Sequence, residues 1–268
     1  MIVAAIQLTS TGDFAANLDR AVGLVERAAA RGARLIVLPE NFALLSEREE
    51  DKFAYAEVCD GSGPILQRMR TAAHATGAHL VLGGMPERSP EPGKVFNSCV
   101  VVAPDGTVGP IYRKIHLFDV AIPDGATYQE SKGVAAGTAP VVADLPWGKL
   151  GLSVCYDLRF PELYRALAAQ DARLVVVPAA FTLHTGKDHW HVLLRARAIE
   201  NQLFVIAAAQ FGRHNLKRVT YGHSLIVDPW GTVLAEASDG EGLAVAELDF
   251  ARQDRVRREL PCLSHRKL

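Results

Sequence analysis

The chain has 268 residues, 49% of them hydrophobic and 22% charged, as is ordinary for a globular protein with a sizeable core. Its 29 Lys and Arg residues nearly balance its 30 Asp and Glu residues, and without a basic tract we expect no nucleic-acid partner and no membrane-surface partner. No apolar run is long enough to span a bilayer. The length fits one large α/β domain or two small ones.

The first half of the chain alternates strand and helix patterns. The run Leu35 to Leu38 is typical of a strand buried on both faces, and Pro39 ends it just before Glu40. Lys114 opens a long irregular stretch, Val120 to Thr138, and such loops in compact domains are usually functional. The other predicted elements are a strand from Ile2 to Leu8, a helix from Asp13 to Arg31, a polar helix from Ser46 to Val58, a helix from Gly63 to Thr76, a strand from His79 to Leu82 ended by Gly83-Gly84, and a hairpin of Val95 to Val102 with Thr107 to Arg113.

The second half is organised around Cys155. The run Leu150 to Val154 predicts a buried strand, and Pro161 predicts a helix that begins near Phe160, so Cys155 lies where a strand passes into a helix. The remaining predicted elements are a strand from Val141 to Asp144, the helix to about Gln170, a strand from Leu174 to Val177, a helix from Asp188 to Asn201, a strand from Leu203 to Ala209, two strands flanking Pro229-Trp230-Gly231, a strand from Leu243 to Leu248 and a short basic helix.

The two halves resemble each other. Ala33 to Pro39 matches Ala172 to Pro178, and Ser98 to Val108 matches Ser224 to Val233 with one residue fewer. Chance matching of short β-branched runs is the alternative, but the shared order of several elements argues against it. The repeat predicts two α/β layers packed sheet to sheet with helices outside, and active residues at strand ends where the halves meet.

The four cysteines, Cys59, Cys99, Cys155 and Cys262, are widely spaced. None belongs to a CxxC motif or a Cys/His pair with metal-site spacing, so the sequence predicts no metal. Met1 to Thr9 lacks the charged start of a signal peptide, and we expect reduced thiols and a cytoplasmic location.

Cys155 is a candidate nucleophile because backbone N–H groups just after such a corner are free to meet a developing negative charge. A buried structural cysteine is the commoner alternative. His116 and His223 could serve as bases, but neither has a clear orienting partner in the sequence. Glu40 and Lys114 also lie at strand ends, as a carboxylate base and as an ammonium that favours the thiolate and stabilises an oxyanion; the alternative for each is a surface charge.

Together, Leu38 to Phe42, Tyr112 to Asp119 and Cys155 to Glu162 resemble the motifs of the nitrilase superfamily of carbon–nitrogen hydrolases. The resemblance covers essentially the whole chain and implies one domain over residues 1–268, of the α/β class, with a four-layer αββα sandwich and two similar halves. It also implies a catalytic triad of Glu40, Lys114 and Cys155. A match at Tyr128 to Ser131 implies a fourth polar residue, Glu130.

Within that superfamily, Leu194 to Gln202 and Ala208 to His214 are similar to the amidase branch. This implies hydrolysis of the terminal amide of a 2-oxo acid amide such as deaminated glutathione, through a thioester on Cys155, with release of ammonia. The alternatives are omega-amidase activity on 2-oxoglutaramate and hydrolysis of N-carbamoyl amino acids. The resemblance also implies a backbone oxyanion donor at Tyr156, no cofactor, a small-molecule amide as partner, and a homodimer or higher homo-oligomer.

Substrate carboxylates would need cationic or polar partners. The candidates are Arg159, Thr182, His184, Arg213 and His214, with Lys187 and Arg218 as further possibilities. The alternative for each is an ordinary surface residue, and for Arg159 an ion pair with an acid such as Asp157. Two other classes of protein compete: an inactive binding protein on the same fold, and a thiol redox protein, which would need a resolving cysteine near Cys155.

Overall fold

The computed structural model of the protein describes residues 1–121 and 127–267. In this part of the chain the α-helices are α1 (Phe14–Ala30), α2 (Pro64–Thr76), α3 (Pro161–Ala169), α4 (Leu183–Asn201) and α5 (Phe250–Glu259). Short 3-10 helices span Glu49–Tyr55, Glu130–Lys132 and Cys155–Arg159. The strands are β1 (Ile2–Gln7), β2 (Leu35–Val37), β3 (His79–Arg88), β4 (Val95–Val102), β5 (Val108–Arg113), β6 (Asp119–Ala121), β7 (Thr127–Gln129), β8 (Val134–Ala135), β9 (Val142–Leu145), β10 (Gly148–Leu152), β11 (Ala172–Val176), β12 (Phe204–Ala207), β13 (Phe211–Arg213), β14 (Val219–Tyr221), β15 (Leu225–Val227), β16 (Val233–Glu236) and β17 (Gly242–Glu247).

Two large sheets share one strand order when the second is read from its opposite edge. The first runs β17-β1-β2-β3-β4-β5 with β8 beside β4, and the second runs β16-β15-β12-β11-β10-β9. In the first sheet β1, β2 and β3 are parallel and β4 and β5 follow antiparallel. In the second sheet β10, β11 and β12 are parallel and β15 and β16 follow antiparallel. The matching sequence segments therefore occupy equivalent places, β2 with β11 and the β4–β5 hairpin with β15–β16.

Alternate residues of a strand point to opposite sides of its sheet, and in the first sheet both sets are buried. Its inner residues pack in one core with the second sheet, α3 and α4, and its outer residues pack in another core with α1 and α2. The inner set includes Val3, Ala5, Leu35 and Val37, and the outer set includes Ala4, Ile6, Ile36 and Leu38. The layers are thus helix, sheet, sheet and helix, which confirms the predicted αββα sandwich. None of the described helices combines the length and apolar character needed to cross a membrane.

Local signals placed most helices well. Asp13 caps α1 by accepting a hydrogen bond from the Ala16 N–H, and α2 begins at Pro64 as predicted. The prediction for Ser46 to Val58 was wrong in type, because only Glu49–Tyr55 is helical and it is a 3-10 helix. The helix predicted from Asp188 begins earlier, as α4, where Thr182 caps it.

The strand predicted to end at Gly83-Gly84 instead continues as β3 through both glycines, with a shift of register between Leu82 and Met85. A Cβ on Gly83 would lie 2.1 Å from Pro178 Cβ, and one on Gly84, whose φ is +52°, would lie 2.6 Å from Glu40 Cγ. The glycines therefore mark close packing and not a strand end, Gly83 against Pro178 and Gly84 against Glu40.

The stretch predicted as irregular, Val120 to Thr138, is partly regular. Strands β6 and β7 pair antiparallel, and β8 pairs with β4. Residues 122–126 lie outside the described part of the chain. The hairpin β13–β14 was not predicted, because its strands are only three residues each.

Candidate active site

Glu40, Lys114 and Cys155 meet although they are far apart in the sequence. Glu40 follows β2, Lys114 follows β5, and Cys155 follows β10 and Val154. Lys114 Nζ lies 3.0 Å from Glu40 Oε1, and the charges of both side chains act on the Cys155 thiol beside them. Glu40 and Lys114 are each 2% exposed and Cys155 is 7% exposed, so a carboxylate, an ammonium and a thiol are packed together away from bulk water.

The Glu40 carboxylate is fixed by donors on both oxygens. Oε1 accepts from Lys114 Nζ and, at 2.9 Å, from Asn97 Nδ2. Oε2 accepts from the Ala180 backbone N–H at 2.9 Å. These hydrogen bonds hold the carboxylate beside the sulfur and leave it little rotational freedom.

Glu130 completes the polar cluster from the cavity side. Its two oxygens lie 3.1 and 2.8 Å from Lys114 Nζ, and they also accept from Asn97 Nδ2 at 3.0 Å and from the Phe118 N–H at 2.7 Å. Burial opposes its charge, but Lys114 and these donors outweigh burial and lower the pKa of the Glu130 carboxyl. Its side chain is 16% exposed, against 2% for Lys114, so Glu130 separates the lysine from the cavity rim.

The charges around Cys155 set its protonation state. Burial, and next the negative charge of Glu40, raise the pKa of the Cys155 thiol well above its ordinary value, and Lys114 opposes them. Burial also disfavours the Lys114 ammonium, but Glu130 and Glu40 outweigh it and raise the pKa of Lys114. The lysine does favour the thiolate, as the sequence indicated, yet the resting cysteine is a neutral thiol beside an ionic pair.

The backbone at Cys155 is held in an unusual conformation. Its φ is +48°, in the left-handed region that non-glycine residues seldom adopt, and its N–H donates to the Pro178 carbonyl at 2.8 Å. The segment after β11 thus contacts both reacting groups, since Pro178 holds the Cys155 backbone and Ala180 holds Glu40. This is the strand-to-helix corner that the sequence predicted.

Asp157 also holds the corner at Cys155 in place. This carboxylate has no exposed surface, and it accepts from the Val154 N–H at 2.8 Å and from the Tyr112 hydroxyl at 2.7 Å. His116 Nδ1 lies 2.7 Å from the other carboxylate oxygen, and the His116 ring stacks on Phe160. Asp157 therefore joins the strand before Cys155 to the loop that carries Lys114.

The cluster opens into a cavity of about 510 Å³. Glu40, Lys114, Glu130 and Cys155 lie at its base. Its aromatic lining residues are Phe53, Phe96, Phe118, Tyr128, Tyr156 and Phe181, and its cationic ones are Arg48, Lys52, Lys132, Arg159 and Arg218. Two acids also line it, Glu49 and Glu50, and they pair with Arg48, Lys52 and Arg218. The remaining excess of cations, together with the aromatic walls, suits a small organic substrate with negative charge.

Residues 2–258 match the family described as carbon-nitrogen hydrolase. The chain belongs to the carbon–nitrogen hydrolase family. It is 46% identical over 268 residues to a protein of Synechocystis sp. named deaminated glutathione amidase, with 99% of this chain and 97% of the relative covered. This also confirms the resemblance to the nitrilase superfamily that the motifs carry.

Solved structures agree with the family. The Caenorhabditis elegans NitFhit protein superposes with a TM-score of 0.92 at 39% identity, covering 99% of this chain and 65% of that one, so this hydrolase corresponds to about two thirds of it. An amidase from Nesterenkonia sp. AN1, described with acrylamide added at its active-site cysteine, superposes with a TM-score of 0.78 at 30% identity and 98% coverage of both chains.

In this carbon–nitrogen hydrolase, two of the five predicted substrate-binding residues line the cavity, Arg159 and Thr182. The Arg159 guanidinium lies over the Phe181 ring at 5.1 Å and 3.2 Å from His189 Nδ1, and within the described residues it has no carboxylate partner. The ion pair with Asp157, which was the alternative for Arg159, does not form, because Asp157 is occupied by Val154, Tyr112 and His116.

The other three predicted residues do not reach the cavity. His184 lies in the first turn of α4, and Arg213 lies at the exposed end of β13. His214 is buried elsewhere: its Nδ1 donates to the Ser10 carbonyl at 2.8 Å and its Nε2 lies 2.7 Å from Thr220 Oγ1. Burial lowers the pKa of His214 to about 4, so it is a neutral packing residue and not an anion ligand.

The structure also places functional neighbours that sequence reasoning did not select. Asn97 lies in the middle of β4 and donates to both Glu40 and Glu130, yet nothing in its local sequence distinguishes it from other strand residues. Arg218, considered only as a further possibility, lines the cavity and lies over the Tyr128 ring at 5.5 Å. His116 acts through Asp157, and His223 is not among the residues that line the cavity.

Proposed function

We propose that this hydrolase releases ammonia from the terminal amide of a 2-oxo acid amide such as deaminated glutathione, with Cys155 as nucleophile. The observation that carries the proposal is the contact of a thiol, a carboxylate and an ammonium at the base of a cavity lined by cations. The name of the Synechocystis relative, at 46% identity, supports the substrate.

In the first half-reaction Glu40 removes the proton of the Cys155 thiol as the sulfur attacks the amide carbon. A base is needed because the resting thiol is neutral, and Glu40 is the carboxylate whose charge acts on it most strongly. The carbonyl oxygen becomes an oxyanion, which Lys114 and the Tyr156 backbone N–H stabilise. The carbon–nitrogen bond then breaks, Glu40 returns the proton to nitrogen, and ammonia leaves behind a thioester.

In the second half-reaction Glu40 takes a proton from a water molecule that attacks the thioester carbon. The carbon–sulfur bond breaks, the proton passes to the Cys155 sulfur, and the acid leaves. Glu130 keeps Lys114 charged and oriented through both steps, since its two oxygens lie 3.1 and 2.8 Å from Lys114 Nζ. No metal or organic cofactor takes part in these two half-reactions.

Arg159 and the start of α4 support recognition of the substrate carboxylates. Arg159 is a cation at the cavity wall whose described neighbours are rings and a histidine and not acids. Thr182 caps α4, and Thr185 in its first turn also lines the cavity, so the positive end of the helix dipole faces the same space. Arg218, which lies over the Tyr128 ring and 3.9 Å from Glu49, adds a second cation to the lining.

Ammonia release from deaminated glutathione, 2-oxoglutaramate and an N-carbamoyl amino acid, measured side by side, tests the substrate. We expect the highest kcat/KM with deaminated glutathione; a preference for 2-oxoglutaramate makes the enzyme an omega-amidase, and a preference for the carbamoyl compound makes it a carbamoylase. Mass spectrometry tests the nucleophile. An acyl adduct should map to Cys155 and disappear in Cys155→Ala, and turnover unchanged in that variant would disprove the assignment.

We further propose that residues 1–268 form one domain, that the enzyme is a homodimer or higher homo-oligomer, and that it works in the cytoplasm. The core that both sheets share supports the first proposal. Large apolar side chains exposed on α4 and the β15–β16 hairpin support the second, namely Val192, Ile199, Trp230 and Leu234. The molar mass in solution, measured by light scattering, tests the oligomer.

A further inference from the structure

A second cluster of chemically active side chains lies outside the cavity. It joins His191 on α4, His223 just before β15, and Glu236 at the end of β16. None of the three lines the cavity. Their side chains are 31%, 27% and 34% exposed in the single chain, so the cluster is reached without passing the reacting groups. It lies on the same elements, α4 and the β15–β16 hairpin, that carry the apolar side chains proposed above for the oligomer contact.

The three donor atoms converge on one point. His191 Nε2 lies 3.0 Å and His223 Nδ1 lies 2.7 Å from the same oxygen, Glu236 Oε1, and one ligand atom from each residue lies within 4.8 Å of the others. Ligands of a tetrahedral zinc ion at bond lengths of about 2.0–2.1 Å are roughly 3.3 Å apart. Small side-chain rotations would therefore open a position equidistant from all three atoms.

The surrounding structure orients these ligands. His223 Nδ1 is directed into the cluster by its 2.7 Å contact with Glu236 Oε1, and Asp239 Oδ1 lies 3.6 Å from the other ring nitrogen, Nε2. The Trp190 indole N–H donates to the His223 carbonyl at 2.8 Å and so ties the residue beside His191 to the loop of His223. Glu236 pairs with Leu225 across the β15–β16 hairpin, which fixes the third ligand on regular structure.

The electrostatics favour a cation. Glu236 and Asp239 both carry carboxylates here, and Arg195, one turn along α4 from His191, donates to the Gly231 carbonyl.

We propose that His191, His223 and Glu236 bind a divalent transition-metal ion, with Zn²⁺ the best match, and leave a fourth position to water. Two imidazoles and one carboxylate form a zinc-type donor set. The bound ion would connect α4 to the β15–β16 hairpin, and because it binds only the folded chain it would stabilise the protein. The sequence predicts no metal because Glu236 is 45 residues from His191 and 13 from His223, spacings that no short motif covers.

Calorimetric titration with Zn²⁺ alone tests the site, in a Cys155→Ala background that removes the active-site thiol as a competing ligand. We expect a dissociation constant below about 100 μM and one ion per chain. His191→Ala and His223→Ala should each weaken binding more than about 10-fold. His74→Ala, at an exposed histidine on α2, should leave the affinity unchanged.

Two further measurements make the result independent of folding defects. Zn²⁺ should raise the Tm of the background protein but not of the His191→Ala or His223→Ala variants, and Co²⁺ should give visible absorption bands of low-symmetry coordination only when both histidines are present. A dissociation constant above about 100 μM, or an affinity equal in the background and histidine variants, would overturn the proposal.

Discussion

The Lys114 ammonium lies 3.0 Å from Glu40 Oε1, and the two side chains are only 2% and 3% exposed. A buried ion pair of this kind is costly to break, because the remaining charge keeps its desolvation penalty. Lys114→Met should therefore lower the free energy of unfolding by about 3–5 kcal/mol, and it should lower kcat/KM by about 100-fold or more because an oxyanion donor is lost. Lys94→Met, which removes only an exposed pair with Glu91, should change stability by less than about 1 kcal/mol and leave turnover intact. Turnover near the wild-type rate in Lys114→Met would exclude the lysine from the chemistry.

The close approach of Gly84 to Glu40 gives a steric test of the same site. Gly84→Ala adds a methyl group 2.6 Å from Glu40 Cγ and 2.7 Å from Asn97 Oδ1, so the carboxylate must move. Gly77→Ala places alanine at a similar φ, +64° against +52°, but its Cβ meets only Arg34 Nη1 at 3.9 Å. Both variants should lose about 1–2 kcal/mol of stability to backbone strain. Only Gly84→Ala should also lose more than about 10-fold in kcat, and equal activities would show that the contact has no catalytic importance.

His214 should make the protein sensitive to mild acid. Its pKa is lowered to about 4 in the folded protein from 6.5, so the folded state resists a proton that the unfolded chain accepts. The contribution of neutral His214 to the free energy of unfolding is complete above pH 6.5. As the pH falls from 6.5 toward 4, that free energy falls by at most about 3 kcal/mol. Tm measured across this range should fall less steeply in His214→Gln than in the wild type. Parallel curves would mean that His214 does not titrate differently in the two states.

Arg159 and Arg213 form a matched pair for substrate recognition, since only the first lines the cavity. Arg159→Ala should raise KM for deaminated glutathione by about 10-fold to 100-fold, the value of a charge-assisted hydrogen bond, and should affect a neutral amide less. Arg213→Ala should leave both values near those of the wild type. A raised KM in Arg213→Ala with an unchanged KM in Arg159→Ala would instead assign the carboxylate site to Arg213 on β13.

The parts of this molecule that the sequence predicted depend on local patterns or on motifs. Buried strands such as β2 and β11 are continuous β-branched runs, and the corner at Cys155 combines an apolar run with Pro161. The αββα layering followed from the repeat and the family resemblance. Glu40, Lys114 and Cys155 were selected together because each follows a strand, and the structure brings them into contact.

What the sequence did not predict depends on pairing across long distances. Asn97 reaches Glu40 only because β4 aligns with β3 through the bulge at Gly83-Gly84, and a register of that kind has no local signal. His214 and Arg213 are adjacent in sequence, yet one is buried against Ser10 and the other is exposed, which depends on a hairpin of three-residue strands. Charge alone indicated anion binding at both, but neither residue lines the cavity.

The segment after β11 touches Cys155 through Pro178 and Glu40 through Ala180, so it joins a nucleophile on one sheet to a base on the other. Neither half of the chain contains both groups. Two fragments divided between Lys114 and Cys155 would each be inert, and hydrolysis would appear only as they dock face to face. Turnover in such a mixture would serve as a quantitative assay of sheet-to-sheet association, with substitutions along β2 and β11 ranked by the activity they restore or abolish.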